Sequence, residues 1–111
     1  MTTNELQEAL GLSLLAGGTD PKPVDGLYIG DLLSWVMGRA QEGNAWITVM
    51  GNVNAIAVAK LADLSCVILC ENAHLDDEAK QQADANGIQV FAGSDPAHTL
   101  AFRAGKALGL V

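Results

Sequence analysis

Two apolar runs that never alternate with polar residues constrain this chain more than anything else in it. Ala45-Trp46-Ile47-Thr48-Val49-Met50 and Ser65-Cys66-Val67-Ile68-Leu69-Cys70 are separated by a turn at Gly51-Asn52 and a helical stretch from Val53 to Asp63. A strand wetted on one face carries a polar residue at every second position, because successive side chains leave opposite faces. These two runs lack that alternation, so they read as parallel strands covered on both sides. The helix between them has only Asn54, Lys60 and Asp63 to offer water, and is expected to be buried almost all round. Parallel strands joined by a helix make a right-handed crossover, and the remaining residues must supply the covering layers.

The flanking segments fit that role. Thr2 and Glu5 make a capping box for a short helix with Leu6, Ala9 and Leu10 on one face and Gly11 as its stop. Leu12 to Ala16 reads as a strand, Gly17 to Pro23 as a loop, and Val24 to Ile29 as a further strand. Gly30-Asp31 opens a helix whose Leu32, Leu33, Val36, Met37 and Ala40 share a face; Trp35 lies off it, tucked under a loop or offered to a partner. After Cys70, a loop from Glu71 to Leu75 leads to a helix capped by Asp76, with Asp77 and Glu78 in its first turn and Asn86-Gly87 at its end. Ile88 to Phe91 is a short strand, Ser94 or Asp95 a cap, and Pro96 the first position of a last helix running to about Leu108. This alternation predicts one domain over residues 1–111. Its fold is a three-layer α/β fold with a mostly parallel sheet of about five strands and helices on both faces.

Charge and composition remove several functions. Thirteen acidic residues against six scattered basic ones give a net charge of −7, which repels a nucleic-acid backbone. No apolar run nears the ~20 residues of a membrane span. Met1 to Glu5 lacks the basic start of a signal peptide, so the expected location is the cytoplasm. Cys66 and Cys70 lie four apart on one strand, roughly 13 Å, which is too far for a disulfide or a shared metal; they read as reduced core residues.

In an open parallel sheet, ligands gather beyond the carboxyl ends of the strands. Three loops fall there: Gly51 to Asn54, Cys70 to Asn72, and Gly93 to Asp95. The candidate ligand-binding residues are Gly51, Asn52, Asn54, Glu71, Asn72 and Ser94, with Gly51 allowing close approach of the backbone. The competing role for Asn52 or Asn54 and for Ser94 is to cap the helices that follow. No catalytic residue, cofactor or metal is expected. His74 and His98 sit in no metal-ligand spacing, and the chain has neither a Gly-x-Ser-x-Gly elbow nor a Gly-x-x-x-x-Gly-Lys-Ser/Thr loop.

The runs Leu27 to Met37, Glu42 to Thr48 and Asn54 to Ala59, with Cys66 to Leu69 and Gly87 to Val90, together resemble the DRTGG domain family. They are also similar to the N-terminal domain of HPr kinase/phosphorylase. The resemblance covers nearly the whole chain and implies a non-catalytic regulatory or scaffolding module that pairs as a homodimer, alone or beside a partner protein not named by the sequence. Trp35, Val53, Ile56 and Ala57 are the interface candidates. The alternative is a sensor of a nucleotide or other metabolite; an enzyme ranks last. This sequence has Asn52-Val53 where relatives place Asp-Arg, and Cys70-Glu71-Asn72 where they place Thr-Gly-Gly. Without that arginine, and at a net charge of −7, a neutral or cationic ligand, or none, is expected rather than an anion.

Overall fold

In the computed structural model, which describes residues 1–111, the two apolar runs become β3 (Ala45–Thr48) and β4 (Cys66–Leu69). They are adjacent and parallel, with Ala45 opposite Cys66 and Thr48 opposite Leu69, and every residue of both is buried. β2 (Leu27–Ile29) extends the sheet in parallel beyond β3, and β5 (Val90–Ala92) does so beyond β4. β1 (Ser13–Ala16) adds an antiparallel edge on β5, giving the order β1-β5-β4-β3-β2.

Helices cover both faces. α2 (Leu33–Arg39), α3 (Val53–Leu61) and α4 (Asp77–Asn86) pack on one side, and α1 (Thr3–Leu10) with α5 (Ala97–Ala107) on the other. Alternate side chains of β3 go to opposite layers: Trp46 joins Val36, Ile56 and Ala59, while Ala45 and Ile47 join Leu6, Phe91 and Leu100. The large indole is accommodated because α3 and α4 present small residues inward, Ala55, Ala59, Ala79 and Ala83, each fully buried. Its Nε1 donates to the Gly30 carbonyl at 2.8 Å, so the buried ring leaves no polar atom unpaired. The fold is therefore the α/β arrangement expected, with a mostly parallel five-stranded sheet.

Several local expectations are corrected. α3 is not buried all round: Ala55, Ile56 and Ala59 are buried, whereas Ala57 and Leu61 are exposed. Three helices lie side by side on that face of the sheet, so each hides only one stripe. In α1 the inner face is Thr3, Leu6 and Leu10, and Ala9 is exposed. The capping box of Thr2 and Glu5 is present as expected. Asp31 does not cap α2. Its carboxylate accepts from the Thr48 hydroxyl at 2.7 Å and the Val49 N–H at 3.0 Å, pinning the end of β3. Leu32 and Met37 are exposed, leaving Val36 as the buried residue of α2. Pro96 stands at the N-cap of α5 rather than inside its first turn, and Val24 is buried outside β2.

Cys66 and Cys70 are free and buried. Burial pushes the Cys66 thiol up to about 12 and raises that of Cys70 as well. No helix is long and apolar enough to cross a membrane.

Candidate functional site

The three loops beyond the parallel strands are tied to one another by backbone hydrogen bonds. Asp76 N–H donates to the Gly51 carbonyl at 2.8 Å, Glu71 N–H to Asp95 at 3.0 Å, and Asn72 N–H to Gly93 at 3.0 Å. The rim therefore forms as one continuous structure. Gly51 is required by this tie, since a Cβ there would collide with the His74 carbonyl. That space belongs to the chain itself and is closed to a ligand. Glu71 and Asn72 both take left-handed conformations, at φ 55° and 53°, in a turn closed by Ala73 N–H on the Cys70 carbonyl at 3.0 Å. Two successive left-handed residues make a type I′ turn, which suits Asn and Gly and costs Glu.

The sequence-derived candidates separate on this rim. Asn52 caps α3, its side-chain oxygen accepting from Ala55 N–H at 2.9 Å. Asn54, Glu71 and Ser94 are exposed, and Ser94 caps no helix. Asp76 occupies the N-cap of α4 without a side-chain bond. Asn72 is the candidate that borders a cavity. The cavity, about 330 Å³, lies between β1, the end of β5 and the start of α4, and is lined by Leu15, Asn72, Ala73, His74, Leu75, Lys80 and Ala92. That volume is at the lower end of small-molecule sites. Lys80 Nζ bridges to Asp84 Oδ2 at 2.9 Å, and Asp84 Oδ1 accepts from Gly17 N–H at 2.8 Å. The Gly17 amide, and after it Lys80, hold the Asp84 carboxyl below its ordinary value. At the other end of the sheet a hollow of about 530 Å³ carries Asp25, Glu42 and Asp63 beside Lys22. No group of three or more histidine, cysteine or acidic side chains stands together as a metal site would require.

Leu15, Lys80 and Ala92 escaped the sequence reading because their meeting depends on β1 lying antiparallel beside β5, and nothing local to either strand states that pairing. Among the interface candidates, Trp35 is 52% exposed with the Arg39 guanidinium 3.6 Å from its ring centroid, so no loop covers it. Ala57 is exposed and Val53 half-buried. Ile56 is 3% exposed and belongs to the core.

No protein-family model and no curated protein matches the sequence. Among solved structures, the chain is similar to the CBS and DRTGG domains of the regulatory region of Clostridium perfringens pyrophosphatase, crystallised with its activator, diadenosine tetraphosphate. The TM-score is 0.73 at 13% sequence identity, over 93% of this chain and 45% of that one. The fold is DRTGG-like, and the chain spans less than half the length of that neighbour.

Proposed function

We propose that this protein is a non-catalytic regulatory module that senses a small molecule in the cavity beside Asn72 and works as a homodimer. The observation that carries the proposal is the cavity itself: a mostly apolar hollow at the carboxyl-end rim, bordered by a turn that is hydrogen-bonded to the neighbouring loop. The likeness to a regulatory region crystallised with a nucleotide activator supports a sensing role. Ligand occupancy at Asn72 bears on the backbone bonds that join residues 71–72 to 93–95, and so on the position of α5. Pairing is supported by the apolar side chains left uncovered on the α2 and α3 layer, Leu32 at 59%, Trp35 at 52% and Leu61 at 71% exposure.

Thermal denaturation against adenine nucleotides and common metabolites tests the sensing role. A ligand at a hundred times its dissociation constant adds about 2.7 kcal/mol, which is readily seen in a melting curve. A panel that leaves the transition unmoved contradicts the proposal. For pairing, the expected result is a dimer by sedimentation at tens of micromolar, shifted toward monomer by Trp35→Glu. A wild-type monomer contradicts it.

A further inference from the structure

The net charge of the whole chain is a poor guide to the charge its cavity accepts. None of the thirteen acidic residues lines the hollow beside Asn72, whereas the opposite end of the sheet gathers three around a comparable space. The polar groups of the lining are the Lys80 ammonium, which only donates, and the Asn72 amide and His74 ring, which can each donate or accept. The backbone N–H groups of His74 and Leu75, in the segment that borders the cavity, donate to no protein acceptor. Such groups are satisfied by water or by a ligand with acceptors to offer. The rest of the lining, Leu15, Leu75 and Ala92 among it, is apolar. Acidic residues do stand nearby. Asp84 shares the charge of Lys80, and Asp76 Oδ1 lies 4.0 Å from His74 Nε2. Both are outside the lining, and the Lys80–Asp84 pair offsets part of the charge of each partner while leaving the ammonium on the cavity wall.

From this lining we infer that the cavity takes a small organic anion with an apolar body, its carboxylate or phosphate directed at Lys80 and His74 and its body against Leu15 and Leu75. The inference rests on reading the cavity as the sensing site, and it reverses the expectation of a neutral or cationic ligand drawn from net charge. An inorganic anion is disfavoured because it would leave the apolar floor in water.

Calorimetric titration of the full chain with benzoate, benzamide and benzylamine, three probes that share a ring and differ in charge, tests it. The expected result is that benzoate binds about threefold or more tightly than benzamide, the range of a solvent-exposed charge contact, and that benzylamine binds most weakly. Lys80→Gln should bring benzoate down to the level at which the same variant binds benzamide, and Lys80→Arg should restore the difference. Equal or tighter binding of benzamide or benzylamine overturns the inference of charge and leaves the sensing role standing. Binding of none of the three overturns it too, and a metabolite that still shifts the melting curve would then show that the sensing role has survived separately.

Discussion

Glu71 carries the clearest conflict between residue type and conformation. A left-handed backbone suits glycine and tolerates asparagine, and here Glu71 and Asn72 adopt it in succession. The resemblance implies glycine at both positions, which a left-handed backbone favours. Glu71→Gly is expected to leave stability unchanged or raise it by up to about 1 kcal/mol, relief of strain being offset by the greater freedom of glycine when unfolded. Glu71→Val is expected to lower it by roughly 1–2 kcal/mol in urea denaturation, because a branched Cβ fits that region worst. The opposite order would mean that the turn is not strained. The two thiols make a second test. With Cys66 and Cys70 buried and their ionisation pushed up, a thiol reagent near neutral pH should label neither in the native protein and both after denaturation. At this scale the sequence was informative where cause and effect are neighbours: Asn52 caps the helix that begins one residue later. At Gly51 cause and effect are far apart, since what demands a glycine there is the chain at His74, far along the sequence.

Among the elements, β3 and β4 were legible because burial on both faces leaves a direct mark, an apolar run with no polar alternation. α3 was not, because alanine fills its buried face and its exposed one alike, so composition cannot tell Ala59 from Ala57. Its N-terminus is sharper. Asn52→Ala should cost about 1 kcal/mol, read as a lower denaturation midpoint, since it removes the side-chain acceptor at 2.9 Å and leaves Ala55 N–H only the Asn52 carbonyl at 3.1 Å. α4 is fastened to the loop after β1 by Asp84, whose carboxyl is held below its ordinary value of 3.8 by the Gly17 amide and Lys80. A carboxyl depressed on folding contributes stability that is present above its unfolded value and is lost as pH falls through the folded one. The melting temperature should accordingly decline as the solution is acidified below about pH 4, less steeply in Asp84→Asn, which keeps an acceptor for Gly17 but cannot titrate. An identical acid limb in the variant would show that the tie contributes nothing.

For the molecule as a whole, the rim was legible and its lining was not. A parallel sheet sends its loops to one edge as a matter of topology, so the meeting of residues 51, 71–76 and 93–95 followed from strand direction alone. Which side chains border the hollow depends on β1 closing the sheet antiparallel to β5, a long-range pairing that brings Leu15 and Ala92 to Asn72 and Lys80. Net charge is likewise a sum over the whole surface, whereas a ligand meets only a few groups of it. The proposed sensing role puts the ligand in this hollow, and methyl and amide NMR shifts on adding a compound that raises the melting temperature test that placement. Shifts centred on Leu15, Leu75, Ala92 and the Asn72 amide are the expected result. Shifts centred instead on Val53, Ile56 and Ala57 between α3 and α4, or on the acidic hollow by Asp25 and Asp63, would contradict it.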